Sequence, residues 1–402
     1  MTNITIGKKE LEKIKLLTKE IDVDQAEIVG NKKTKEVCLR FRTNKATESG
    51  VSPICHSIVI QQKEVLESFS FIMTDEESIN FTSFVSNASE QEENLTIEVL
   101  ESNNIKLVVE DVSLVLSGSH YTDIKDPIFL NKSAPSPIVS FSKEDFKSQI
   151  VDRTKNLTFQ NEWIDKKLAG VNLIVSEDSA SIFMATRTFH FKAPITKGVF
   201  YPESSKPFVH NHGVMFLSED FIKNIYSLAE EDEEIKFFLN QSCEEDNYIS
   251  YDISIGNYIL LCVSGYARVK NILNSHKFDD EASSKEVYSF NVNLKKIKKF
   301  FTLFKNSEVF VNEVINISSK SGKGLYFKPF EEEGEKKFEY FIENKKNKVN
   351  SEINANFFVL NSVVQALNGD EIIIMETEAN NKHFIISDNS SWFIIGKSIK
   401  QE

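Results

Sequence analysis

One order of elements recurs three times along these 402 residues, and that repetition restricts the fold more than any motif does. The last copy is the plainest. "NANFFVLNSVVQALNG" reads as a strand running into a short helix that Gly369 stops. "DEIIIMETEANNKHFIISDNSSWFIIGKS" then gives three strands, at 371–375, 382–387 and 392–396, separated by two polar turns. In the middle copy "GVMFLSEDFIKNIYSLAEED" is strand then helix, and "EIKFFLNQSCEEDNYISYDISIGNYILLCVSGYA" supplies the three strands. Near the start, "FSFIMTDEESINFTSFVSN" and "LTIEVLESNNIKLVVEDVSLVLSGS" do the same. Each copy closes on a polar turn, an apolar strand and a glycine.

The front halves agree as well. "ITIGKKELEKIKLLTKE", "VSFSKEDFKSQIVDRTKN" and "YSFNVNLKKIKKFFTLFKN" are each a short strand leading into an amphipathic helix. In the third, Leu294, Ile297, Phe301 and Phe304 follow the 3–4 spacing of a core-facing stripe. In the second, Ser142 with Asp145 three residues on makes an N-cap. Copies begin roughly 135 to 150 residues apart. The expected class is α+β, with three similar domains at 1–130, 131–276 and 277–402, each with two helices packed on antiparallel sheets. Pro127, Pro135 and Pro137 cluster at the first joint, and "NSHKFDDEASSKEV" makes a polar second one. The charge-dense 330–348 segment keeps its aromatic residues and reads as a solvated hairpin.

Charge is distributed unevenly over this repeat. The whole chain is acidic, with formal net charge −13. Yet the first helix of every copy is basic. Lys8, Lys9, Lys13, Lys15 and Lys19 outweigh three acids in the first, and Lys143, Lys147, Arg153 and Lys155 outweigh three in the second. The third, "NLKKIKKFFTLFKN", carries Lys295, Lys296, Lys298, Lys299 and Lys305 with no acid at all. Acid concentrates elsewhere, as in "EEDEE" at 230–234. A single lysine-rich helix is ordinarily a solvated surface; three equivalent ones imply a shared positive face. Such a face, without zinc-finger spacing or an RNP aromatic signature, suits phosphate contact without sequence readout.

Other classes find little support. No run of about 18 apolar residues is present, so no transmembrane helix and no membrane partner is expected. The N-terminus lacks the apolar core of a signal peptide. Cys38, Cys55, Cys243 and Cys262 lie far apart without a CxxC pair, which argues for reduced thiols in the cytoplasm. His210, Asn211 and His212 spell the letters of a nuclease motif but not its spacing. "SKSGKGLYF" (319–327) lacks the spacing of a phosphate loop and reads as a tight turn. No GxSxG elbow, HExxH helix or dinucleotide fingerprint appears. No catalytic site, metal or cofactor is expected.

This architecture resembles the bacterial DNA polymerase III β sliding clamp, the processivity subunit of a replicative polymerase. The most specific local match is "KKLAGVNLIVSEDSASIFMATRTFHF" (166–191), which is similar to the family's "LxG" strand leading to an "ATDGHRL"-like segment. Ala185 and Thr186 keep that pattern. Arg187, Thr188, Phe189 and His190 stand where Asp-Gly-His-Arg is usual, and Phe191 stands for Leu. "FIIGKSIKQE" replaces the usual Met-Pro-Met-Arg-like end. A divergent member from a phage, a plasmid or a low-GC bacterium fits the Lys-, Asn- and Phe-rich composition.

The resemblance implies a homodimeric ring, closed head-to-tail with its helices lining the hole. It implies sequence-independent contact with double-stranded DNA, and polymerase and clamp loader docking through short peptides. The DNA-facing set would be Lys8, Lys9, Lys13, Lys15, Lys143, Lys147, Arg153, Lys295, Lys296, Lys298, Lys299 and Lys305. The peptide cleft, between the second and third domains, would use Leu168, Thr186, Thr188, Phe191, Ile272, Val359, Phe384, Ile394 and Ile395. The competing reading is a DNA-binding or scaffold protein of three repeated domains that does not close.

Overall fold

The computed structural model describes residues 3–19, 23–43, 51–90, 94–100, 103–122, 137–155, 170–176, 179–185, 189–201, 213–243, 248–265, 286–304, 314–329, 339–344, 350–377, 383–388 and 391–396. The first repeat holds β1 (Asn3–Ile6), α1 (Lys8–Lys19), β2 (Gln25–Asn31), β3 (Glu36–Arg42), β4 (Val51–Gln61) and β5 (Phe69–Met73). It continues with α2 (Asp75–Glu90), β6 (Leu95–Val99), β7 (Asn104–Val109) and β8 (Val112–Thr122). The second holds β9 (Val139–Ser142), α3 (143–154), β10 (Gly170–Val175), β11 (Ala180–Ala185), β12 (Phe189–Pro194) and the short β13 (Val199–Phe200). After it come β14 (Gly213–Ser218), α4 (Glu219–Leu228), β15 (Glu234–Cys243), β16 (Tyr248–Ile255) and β17 (Tyr258–Gly265). The third holds β18 (Glu286–Asn293), α5 (Leu294–Phe304), β19 (Val314–Lys320), β20 (Gly324–Pro329), β21 (Tyr340–Glu343) and β22 (Ser351–Asn356). It ends with α6 (Phe357–Ala366), β23 (Glu371–Thr377), β24 (His383–Ser387) and β25 (Trp392–Gly396). The expected boundaries near 130 and 276 fall outside the described residues.

Sheet order repeats with the sequence. Each repeat contributes two antiparallel four-stranded halves: β1-β6-β7-β8 with β5-β2-β3-β4, β9-β15-β16-β17 with β14-β10-β11-β12, and β18-β23-β24-β25 with β22-β19-β20-β21, the short β13 adding a fifth strand beside β9. Neighbouring repeats join edge to edge in one manner. The outer strand β4 of the first pairs with β17 of the second, Ile58 opposite Tyr258. The outer strand β12 of the second pairs with β25 of the third, Phe189 opposite Ile395. These joints extend the ladders and hide two sheet edges. Among the described residues two equivalent strand edges stay open. β21 ends its sheet, and residues 112–117 of β8 pair only with β7 among the described residues.

The helices form where local signals put them. Ser142 accepts a hydrogen bond from the Asp145 amide at 3.1 Å and so caps α3, whose middle turn (Lys147–Val151) widens to π geometry. Ser218 and Asn356 cap α4 and α6 in the same way. On α5 the stripe buries Leu294, Ile297 and Phe301 and half-buries Phe304. Phe300 is also buried, with its ring 5.0 Å from that of Tyr340 and 5.2 Å from that of Phe327. The stripe is thus wider than its spacing suggested, because β20 and β21 cover the helix flank. α6 ends at Ala366, and Gly369, at φ +98°, makes the turn into β23. The 319–327 segment is a hairpin turn with Gly322 at φ +72°. Of the 330–348 segment, 340–343 is strand paired with β20, while 330–338 lies outside the described residues. Cys38 and Cys55 are buried free thiols. Among the described residues no helix is long and apolar enough to cross a membrane.

Candidate DNA-facing helices and partner cleft

Within each repeat the first helix packs on the second: α1 on α2, α3 on α4, α5 on α6. The apolar stripes face inward, and Lys9, Lys147, Lys296 and Lys299 are exposed on the other side. Long-range neighbours then decide what each lysine does. Lys9 and Lys13 of α1 reach across the first joint to Glu230, just after α4. Their Nζ atoms lie 2.6 and 2.7 Å from its Oε1. Hydrogen bonds from Lys13 and then Lys9 hold the Glu230 carboxyl down at about 2. Lys13 is itself buried and sits 4.7 Å over the Tyr258 ring. Lys15 bridges to Glu90 at 2.7 Å. Lys8 is half-buried at the start of α1.

Three residues of the expected DNA-facing set, Lys13, Arg153 and Lys298, make their contacts inside the fold. Besides Lys13, Arg153 is buried and donates to the Pro194 carbonyl, and burial keeps its guanidinium below its usual range. Lys298 donates to the carbonyls of Gln365 and Leu367 at 3.3 and 2.8 Å, closing the C-terminus of α6. Burial lowers its pKa from the ordinary lysine value. The reason is common to all three: a cation removed from water must find acceptors. Lys143 lies half-buried, 3.2 Å from Glu231 and over the Tyr226 ring. Lys295 makes a solvent-exposed pair with Asp370 at 3.3 Å. Lys147, Lys296 and Lys299 are exposed, and no ion pair involves them among the described residues. Lys305 lies outside the described residues.

The expected peptide cleft centres on the β12–β25 joint. Gly170, which ends the "LxG" signature, opens β10 so close to β14 that a Cβ there would strike the Leu217 carbonyl and Ser218 Cα. That close approach is the physical need for glycine. Phe191 lies opposite Phe393 in register, their rings 4.8 Å apart. Phe191, Phe384, Ile395 and Val359 are all buried in the main core and present no open surface. Ile394, itself only 3% exposed, points to the other face of the sheet. There it packs with Ile385, Met375 and Trp392 in a small separate apolar cluster. Met375, Ile385 and Ile394 are successive cross-strand neighbours on β23, β24 and β25. Lys192 lies 5.6 Å over the Trp392 ring at its rim. Sequence reading missed Met375, Ile385 and Trp392, although period-two alternation places all three with Ile394 once the strands are paired. Leu168, Thr186, Thr188 and Ile272 lie outside the described residues, as do His210 and His212. Among the described residues no group of three or more His, Cys, Asp or Glu side chains is arranged to hold a metal.

No family model matches the sequence, and no curated protein matches it. Solved structures match over the full length. The DNA polymerase III subunit beta from Pseudomonas aeruginosa is 13% identical with a TM-score of 0.64, covering 99% of this chain and 100% of that one. The Helicobacter pylori beta clamp in complex with 3,4-difluorobenzamide is 12% identical with a TM-score of 0.63, at the same coverage. The Helicobacter pylori beta clamp bound to DNA ligase peptide is 11% identical with a TM-score of 0.62, again at 99% and 100%. The fold is therefore that of the bacterial β clamp, kept end to end by a very different sequence.

Proposed function

We propose that this chain is a DNA sliding clamp: a head-to-tail homodimeric ring that encircles duplex DNA and tethers a polymerase. The observation that carries the reading is the pair of open strand edges. Both internal joints pair the outer strand of one repeat with the last strand of the next. The outer strand of the third repeat, β21, and the last strand of the first, β8, are the two left over. A second copy supplies each with its missing mate, and two such joints close a ring of six domains. Exposed Val112 and Val115 on β8 and Phe341 on β21 give those edges an apolar reason to pair. The full-length clamp fold supports the same conclusion.

Within the ring, Lys147 and Lys296 lead the phosphate contacts, assisted by Lys8, Lys9, Lys15, Lys143 and Lys305. Loose contacts suffice, because retention is topological and sliding requires that no one register be favoured. The protein acts as a non-catalytic accessory subunit in the cytoplasm. Polymerase and clamp loader dock by short peptides on the half-buried Trp392 and Met375, which cover Ile394 and Ile385, with Leu168, Thr186, Thr188 and Ile272 completing the cleft. The ligase peptide bound to the Helicobacter pylori clamp supports a peptide site on this fold. Mass measurement tests closure: the ring weighs about twice the 45.9 kDa chain without DNA. Protein loaded on nicked circular DNA stays, and it runs off once the circle is linearised. A monomer, or equal retention on both forms, favours the open scaffold instead.

A further inference from the structure

The strand registers align the three repeats residue by residue. Ile6 pairs with Leu95, Phe141 with Ile235, and Val292 with Ile372, and the first of each pair stands two residues before its helix. On this alignment Lys9 and Lys13 of α1 correspond to Lys295 and Lys299 of α5. Glu230, five residues before Ile235, corresponds to Glu90 in the first repeat and to Leu367 in the third. Lys9, Lys13 and Glu230 form the ion-pair cluster that ties the first repeat to the second. At the joint between second and third repeats the same three places hold Glu144, Ser148 and Leu367, so both halves of the cluster are missing together. The two open ends carry both halves: Lys295 and Lys299 on one, Glu90 on the other.

We infer that ring closure sets Lys295 and Lys299 of one subunit against Glu90 of a second copy of this chain, forming an ionic latch equivalent to the Lys9–Lys13–Glu230 cluster. This rests on the ring reading and assigns these two lysines to the subunit contact before the duplex. Lys296 and Lys147 are left for DNA. The apolar surroundings agree. Leu17 is 1% exposed beside the first joint, where its carbonyl meets the ring of His56, which stacks on Phe221 of α4. Its counterpart on α5, Leu303, is 61% exposed, as befits a joint whose other half lies in another molecule. The present partners of the latch residues are weak competitors. Lys295 and Asp370 are each 82% exposed, the Glu90 side chain is 64% exposed, and exposed pairs contribute little. The latch also answers why an acidic chain gathers lysines on one helix: complementary charge steers two identical, net-negative subunits into a single head-to-tail register.

Charge exchange tests it, read by sedimentation and by subunit exchange between two fluorescently labelled populations of the full chain. Glu90→Lys, or Lys295→Glu with Lys299→Glu, raises the dimer dissociation constant or exchange rate by about tenfold or more at low salt. Combining all three restores it to within about threefold, because the pairs re-form with reversed polarity. The sites are solvent-exposed, and unchanged circular dichroism verifies that each variant folds. A dimer indifferent to Glu90→Lys, or a triple variant no tighter than the double, overturns the latch while leaving the ring standing. A wild-type chain that is monomeric at every concentration overturns the ring reading, and the latch with it.

Discussion

His56 offers a direct test of the first inter-repeat joint, because its burial makes stability depend on pH in a defined window. It is 1% exposed on β4, and its ring stacks on Phe221 of the second repeat with centroids 6.2 Å apart. Nδ1 lies against the Leu17 carbonyl, which can only accept, so Nδ1 carries the proton and the neutral ring presents a bare Nε2. That Nε2 is buried with no hydrogen-bond partner among the described residues. A second proton there would place a charge in the core with nothing to receive it. Burial therefore lowers the pKa to about 4, outweighing the bond to Leu17, which raises it. The unfolded chain takes up that proton near pH 6.5, so stability is complete above about 6.5 and falls as pH drops toward 4. Linkage gives a loss of about 2 kcal/mol at pH 5 relative to pH 8, and about 3 kcal/mol below pH 4. His56→Phe keeps the stack and abolishes the titration. Urea unfolding of both proteins at pH 8, 6.5 and 5, followed at the same transition, isolates the effect by difference. Wild-type and His56→Phe curves that fall in parallel between pH 6.5 and 5 would refute the reasoning.

Other outcomes follow from the same structure. Lys147→Glu with Lys296→Glu weakens equilibrium affinity for short duplex about tenfold at low salt and flattens the salt dependence, while the dimer mass stays the same; affinity equal to wild type would remove these helices from the DNA-facing surface. Trp392→Ala weakens binding of a polymerase-derived peptide in a titration while the chain stays folded and dimeric, and an unchanged peptide affinity would move the cleft elsewhere. Phe191→Ala acts differently, lowering stability by about 3–5 kcal/mol because its ring fills the joint against Phe393; thermal unfolding separates it from Trp392→Ala.

What the sequence determined by itself was everything governed by short-range periodicity and caps. The threefold order, the strands at 371–375 and 392–396, the Ser142 cap and the turn at 321–323 depend on residues within a few positions of one another, and local sequence carries that information. The clamp resemblance rested on that order, and the full-length fold match at 11–13% identity bears it out. Which lysines stay free was decided only in three dimensions. Lys13 meets a carboxylate 217 positions away, and Lys298 meets carbonyls 67 and 69 positions away, separations no helical period encodes. The cleft was undetermined for a related reason. Alternation along β25 says that Ile394 and Ile395 face opposite ways, but not which way is inward. Pairing with β12, some two hundred residues earlier in the chain, turns Phe393 and Ile395 into the core with Phe191 and leaves Ile394 on the outer face with Trp392 and Ile385.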